Sequence, residues 1–288
     1  LTAAALVDVD VRWLYPSNPV SYLSCDLTPE ELEEYLQNAQ ERPVAVYLTS
    51  PDYLGMVADI GSIAEVCHRH GILLAVDNAH GAYLRFLPQS MHPIDLGADI
   101  CCDSAHKTLP VLTGGAYLHL SAEMDKAVGE QAKNALMLFG STSPSYLILQ
   151  SLDAANQYLD NYPEQLRTLI PKLDAFKVRL CQQGYSLYGR EALKLTIQAK
   201  PYGYTGKQLA ELLRQMKIEP EFADPDYVVL MLSAETDGET LSQIEQALCR
   251  IPPQPPIKED SPAFAPGELV LTIREAVFAC SELLPVEQ

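Results

Sequence analysis

Two short polar segments hold the residues that could do chemistry. Asp77-Asn78-Ala79-His80-Gly81 closes one apolar run, and Asp103-Ser104-Ala105-His106-Lys107 closes another, so Lys107 stands thirty residues after Asp77. A carboxylate at one strand end and a lysine near the next is what a pyridoxal phosphate site requires. The lysine amine condenses with the cofactor aldehyde as a Schiff base, and the carboxylate keeps the pyridine nitrogen protonated. Ser104 and His106 offer hydroxyl and imidazole donors for a phosphate. Ala79 is small enough for a flat ring to lie against the chain. Taken alone, Lys107 reads as a solvated lysine at a sheet edge; its pairing with Asp77 carries the reading.

The elements that must position these groups can be read around them. Thr28-Pro29-Glu30-Glu31 is a capping box with Pro at the first helical position, so a helix is expected to about Gln40. Ile60, Ile63, Ala64 and Cys67 repeat at helical spacing between Asp59 and His70, with Gly71 as the stop. Residues 44–48, 72–76, 98–102 and 115–120 read as strands, the first three ending in polar clusters. Near-continuous apolar strands alternating with amphipathic helices predict an α/β domain with a mostly parallel sheet covered on both faces. Ligands of such sheets bind beyond the carboxyl ends of the strands, where Asp77 and Lys107 fall.

Helices are expected over 147–158 and from Pro163 through Leu180 to Gly184. A small α+β unit follows: strand 193–199, helix 207–216, strands 219–223 and 227–233, and helix 241–250. The proline-rich stretch 251–268 reads as an extended linker. The expected division is therefore a cofactor-binding large domain over 1–145, connecting helices over 146–184 and a small domain over 185–250. The linker and a C-terminal region over 269–288 complete it.

Composition excludes several function classes. The 288 residues are 48% hydrophobic and 20% charged, as in ordinary globular proteins, and carry a formal net charge of −18. That acidic balance repels phosphate backbones and anionic lipid, which disfavours nucleic acid and membrane surfaces as partners. No apolar run approaches the ~20 residues that span a bilayer. The first residue is Leu1, with no basic segment before the apolar start, so no signal peptide is expected. Seven cysteines, an odd number with no C-x-x-C pair, indicate neither a disulfide framework nor a zinc site, and a reducing cytoplasm is expected. Cys101 and Cys102 read as small buried side chains. Cys67, His68 and His70 read as the last turn of a helix rather than as metal ligands.

Asp77-Asn78-Ala79-His80-Gly81 and Ser104-Ala105-His106-Lys107-Thr108-Leu109-Pro110-Val111-Leu112-Thr113 resemble the bacterial ornithine/lysine/arginine decarboxylase family. These are pyridoxal phosphate enzymes with the aspartate aminotransferase-like fold. Further matches follow in the family's order: Ser141-Thr142-Ser143-Pro144-Ser145-Tyr146, Ser151-Leu152-Asp153-Ala154-Ala155, Glu221-Phe222-Ala223-Asp224, Thr272-Ile273-Arg274-Glu275-Ala276 and Glu282-Leu283-Leu284-Pro285. The resemblance runs over nearly the whole chain. It implies an aspartate aminotransferase-like large domain plus a small α+β domain, and Lys107 as the Schiff-base residue. It also implies Asp77 on the pyridine nitrogen, Ala79 on the ring face, and His80 near the cofactor or the substrate carboxylate. Ser104 and His106 would bind the phosphate, and Ser141 and Thr142 would reach the phosphate of the other subunit of a homodimer or higher oligomer. His80 also fits a supporting role beside the site, and Ser141 and Thr142 also fit a helix N-cap before Pro144.

The implied reaction is decarboxylation of lysine, arginine or ornithine to its amine, a step of polyamine biosynthesis. Other pyridoxal phosphate chemistry on the same fold and a catalytically impaired homologue are the rival readings. The chain departs from the family where glutamine usually follows the threonine: Thr113 is followed by Gly114 and Gly115. The family also has a Gly-rich phosphate turn and a ring-stacking histidine upstream of the segment matching Leu1, and a further domain after the Pro285 region. The 288 residues are therefore expected to be an interior piece of a longer decarboxylase, or a truncated relative with impaired cofactor binding.

Overall fold

The apolar runs around the polar clusters assemble into one four-stranded sheet. The computed structural model describes residues 2–17, 21, 23–140, 142–258 and 270–282. Strands β1 (Ala45–Thr49), β2 (Leu73–Asp77), β3 (Ile100–Asp103) and β4 (Tyr117–Leu120) lie side by side in that order. The pairs β1–β2 and β2–β3 are parallel, while β4 returns antiparallel beside β3. Three carboxyl ends therefore share one edge. In register Thr49 faces Asp77, and Asp77 faces Cys102.

Helix Pro29–Asn38 starts on the expected capping box: the Glu31 amide donates to Thr28 Oγ1 at 3.2 Å and the Thr28 amide to Glu31 Oε2 at 3.0 Å. Helix Ile60–Arg69 is capped by Asp59, and the chain leaves it through Gly71 at φ +63°. His68 and His70, in the expected last turn, contact Asp99 and Glu33. Both helices cover one face of the sheet, where Val46, Leu48, Leu74 and Val76 are buried with Leu32, Leu36, Ile60 and Ile63. The opposite face differs from the expectation of two covered faces. Among the described residues Tyr47, Leu73, Cys102 and Leu118 stand exposed there. The pair Cys101-Cys102 corrects the sequence reading in the same way: strand alternation buries Cys101 and exposes Cys102.

A second sheet has the order β5-β6-β8-β7 and is antiparallel throughout. It consists of β5 (Ser186–Tyr188), β6 (Lys194–Gln198), β7 (Phe222–Ala223) and β8 (Tyr227–Met231), with helices Gly206–Gln215 and Gly238–Cys249. β5 was not expected from the sequence, since three residues carry no readable period, and β7 is shorter than the run 219–223 suggests. Helix Lys126–Phe139 is a further addition and buries none of its residues. Helix Tyr162–Gln182 buries the expected stripe Leu166, Leu169, Leu173, Phe176 and Leu180. That stripe joins Leu195, Ile197 and Val228 of the second sheet to Tyr83, Ala105 and Leu109 beside the polar clusters, in one continuous core.

The loop after β1 is bound directly to the second sheet. Thr196 Oγ1 donates to the Leu54 carbonyl at 2.8 Å and Lys194 Nζ to the Asp52 carbonyl at 3.2 Å. The amides of Arg190 and Glu191 both donate to the Gly55 carbonyl, at 2.7 and 2.9 Å. Lys194 Nζ also pairs with Glu191 Oε2 at 3.0 Å, deep in the interior. Burial raises the Glu191 carboxyl against the opposing pull of Lys194.

Candidate active site

β2 delivers Asp77 to the shared edge, and its carboxylate is held twice. Oδ1 accepts the Ala79 amide at 3.1 Å, and Oδ2 accepts the Tyr47 hydroxyl from β1 at 2.9 Å. The chain then turns, with the Asn78 amide donating to the Cys102 carbonyl and the Gly81 amide to the Asn78 carbonyl. This turn buries His80, which is 3% exposed. β3 ends in a single helical turn, Ala105–Thr108, that carries Lys107. The Tyr162 hydroxyl donates to the Thr108 carbonyl at 2.9 Å and ties this turn to the long helix.

Lys107 Nζ donates to His80 Nε2 at 3.1 Å. Burial first, then the charges of Lys194 and Lys107, push the His80 imidazole down to about 3. The ring is therefore uncharged at neutral pH. With Nε2 accepting from Lys107, the ring proton is assigned to Nδ1. Nδ1 is buried and has no hydrogen-bond partner among the described residues. Tyr53, from the loop after β1, packs edge-on to His80 with ring centroids 5.1 Å apart, and its hydroxyl reaches Glu221 at 3.5 Å.

Behind the turn lies a second polar group. Asp103 Oδ1 accepts Asn78 Nδ2 at 2.7 Å, and Oδ2 accepts from His92 and His119 at 3.1 and 3.0 Å. Burial pushes the Asp103 carboxyl up, but hydrogen bonds from His119, His92 and Asn78 outweigh it and hold the group well below the usual carboxylate range. Two imidazoles and a carboxylate converging this closely also form a metal-like donor set. The Ile94 amide donates to His92 Nδ1 at 3.3 Å, which places the ring proton on Nε2, toward Asp103. The arrangement reads as a hydrogen-bonded clasp joining the ends of β2 and β3.

The structure thus gathers Asp77, Ala79, His80, Ser104, His106 and Lys107 on two neighbouring strand ends. Ser104 occupies the N-cap position of the turn without a side-chain capping bond, and His106 Nδ1 donates to the Gly115 carbonyl at 3.1 Å. Ser141 lies outside the described residues, and Thr142 is exposed. The N-cap of helix Tyr146–Leu159 is Ser145, in extended conformation after Pro144, and not Thr142. Gly114 has φ +99°, a conformation that glutamine adopts only with strain, and a side chain at Gly115 would collide with Val111. Local backbone geometry therefore accounts for the Gly-Gly departure.

Tyr47, Tyr53 and Asp103 escaped the sequence reading. Tyr47 left a signal, a polar-tipped side chain alternating with buried Val46 and Leu48 on a parallel neighbour of β2.

Residues 19–173 match the family described as Orn/Lys/Arg decarboxylase, major domain. Among curated proteins, the chain is 34% identical over 225 residues to the uncharacterized protein YaaO of Bacillus subtilis (strain 168), covering 72% of this chain and 46% of that protein. It is 29% identical over 284 residues to an arginine decarboxylase of the same organism, covering 89% of this chain and 57% of the relative. The solved Francisella novicida lysine decarboxylase LdcF superposes with a TM-score of 0.62 at 18% identity, over 77% of this chain and 38% of that one. That likeness places the fold in the aspartate aminotransferase-like class. The chain spans about half the length of the curated relatives it matches.

Proposed function

The chain belongs to the Orn/Lys/Arg decarboxylase family, and from that premise we propose that it carries the site for pyridoxal 5'-phosphate-dependent decarboxylation of lysine, arginine or ornithine. The observation that carries the reading is the contact between Lys107 Nζ and His80 Nε2, one strand away from a carboxylate anchored at Asp77. The residues fit the cofactor. The chain supplies an amine, a fixed carboxylate on the adjacent strand end, a small Ala79 between carboxylate and imidazole, and a buried, unpartnered His80 Nδ1.

When bound, pyridoxal phosphate supplies a sink for the electron pair left as CO₂ departs. Lys107 would hold its aldehyde carbon, and Asp77 would keep its ring nitrogen protonated. Ser104 and His106 would bind its phosphate, with Ser141 and Thr142 reaching the phosphate across a homodimer. His80 is uncharged and accepts a hydrogen bond from Lys107, with its buried Nδ1 left without a partner among the described residues. Tyr53 and the packing around it exclude water from one side of that imidazole. Among the described residues no helix is long and apolar enough to cross a membrane. We assign the reaction to a reducing cytoplasm on the seven cysteines, an odd number with no C-x-x-C pair. The domain division at 145, 184, 250 and 268 is part of the same proposal.

The test uses carboxyl-labelled lysine, arginine and ornithine with the chain and added pyridoxal phosphate. Labelled CO₂ from one of the three, lost in Lys107→Ala together with the visible absorbance of the bound cofactor, is the expected result. Transfer of the amino group to a keto acid with no CO₂ released would overturn the reading.

A further inference from the structure

Asp77 can do its work only if its carboxylate points where the ring nitrogen lies. The last torsion of an aspartate is broad, because it joins tetrahedral to planar carbon. A single anchor, the Ala79 amide on Oδ1, leaves the plane of the carboxylate free to rock about that contact. The second oxygen is held by a residue from another strand. Tyr47 pairs with Ala75 in the parallel ladder, and its side chain reaches along the same face to Asp77 Oδ2 at 2.9 Å.

Three further facts bear on this contact. Tyr47 is 69% exposed, on the uncovered face of the sheet, so core packing does not account for its position. Burial of the hydroxyl, and then the charge and hydrogen bond of Asp77, raise the phenol well above its ordinary value, which keeps it a donor throughout the neutral range. Each carboxylate oxygen offers about two acceptor sites, so two filled sites leave room for a third donor, the protonated ring nitrogen.

We propose that Tyr47 is a positioning residue: its hydroxyl fixes the plane of the Asp77 carboxylate in the orientation that receives the pyridine nitrogen. The inference rests on the cofactor reading above and extends it to β1, which pairs with β2 through Thr49 and Asp77 and, among the described residues, reaches the Asp77 carboxylate through Tyr47.

The decisive variant is Tyr47→Phe in the full chain, which removes one hydroxyl and keeps the ring. Binding of pyridoxal phosphate, titrated by absorbance, is expected to weaken about tenfold, in line with loss of one charge-assisted hydrogen bond that is partly open to solvent. The thermal midpoint is expected to stay at the wild-type value. In the cofactor-free chain labelled with isotopic aspartate, the Asp77 carboxyl-carbon resonance, identified by its disappearance in Asp77→Asn, is expected to move in Tyr47→Phe. Unchanged or tighter cofactor binding in the variant would overturn the proposal. Failure of the wild-type chain to bind cofactor would sink the cofactor reading instead. The resonance would still decide the hold on Asp77: displaced, it supports the contact; unmoved, it overturns it.

Discussion

The covered and uncovered faces of the first sheet are built from the same three strands and obey different rules. On the covered face Val46, Leu48, Leu74 and Val76 interlock with two helices, Cys101 is buried beside His92, and the polar Asp103 carries hydrogen bonds to both of its oxygens. On the other face the strands present Tyr47, Leu73, Asp77 and Cys102, where the Tyr47 hydroxyl donates to Asp77. Parity along each strand decides which rule a residue follows. Neighbours such as Leu73 and Leu74, or Cys101 and Cys102, are close in chemistry and opposite in role.

The largest effect that can break this comparison is a truncation on each face. Leu74→Ala, at a position with 0% exposure, is expected to cost about 2–5 kcal/mol, counting both lost transfer energy and the cavity. Leu73→Ala, at 37% exposure, is expected to cost less than about 1 kcal/mol. Denaturant titration of the two variants measures the difference; equal losses would mean that the second face is covered after all.

A second effect, spread over several pH units, lies at the turn where the faces meet. His80 is depressed from 6.5 to about 3 by burial, Lys194 and Lys107, so the folded chain holds it uncharged while the unfolded chain takes up a proton below its ordinary value. Its contribution to stability is complete above about pH 6.5 and is lost as the pH falls from there toward 3, with a slope of up to about 1.4 kcal/mol per pH unit. His80→Asn is expected to flatten that part of the stability profile, measured by denaturation at successive pH values. A profile identical to wild type would show that the imidazole titrates freely in the fold.

The smallest effect separates the two adjacent cysteines. Alkylation under native conditions followed by peptide mapping is expected to label Cys102 and spare Cys101 until the chain unfolds. Cys102→Ala is expected to change stability by less than about 0.5 kcal/mol. Labelling of Cys101 in the folded chain would contradict the parity rule at its closest pair.

Much of this was legible in the residues. Continuous apolar runs gave β1, β2 and β3, the capping box gave helix Pro29–Asn38, and the leucine stripe gave helix Tyr162–Gln182, because each pattern is long enough to repeat. The polar clusters put Asp77, His80 and Lys107 on neighbouring strand ends, since parallel strands must bring their carboxyl ends together. What escaped depends on contacts between distant segments. Nothing near Tyr47 in the chain announces Asp77, and Asp103 joins His92, His119 and Asn78 only once three strands and a turn are assembled. β5 escaped because a three-residue strand is defined by its partner and not by its own pattern. Helix Lys126–Phe139 buries nothing, so no hydrophobic stripe had to mark it.

The binding of Asp52, Leu54 and Gly55 to β6 and the segment before it has a mechanical consequence. The loop follows β1 in the chain, yet four hydrogen bonds make it travel with the second sheet. Tyr53 rides on that loop and leans on His80. Any rotation of the second sheet relative to the first is delivered to the imidazole as a lateral push from an aromatic edge, with the loop acting as a connecting rod.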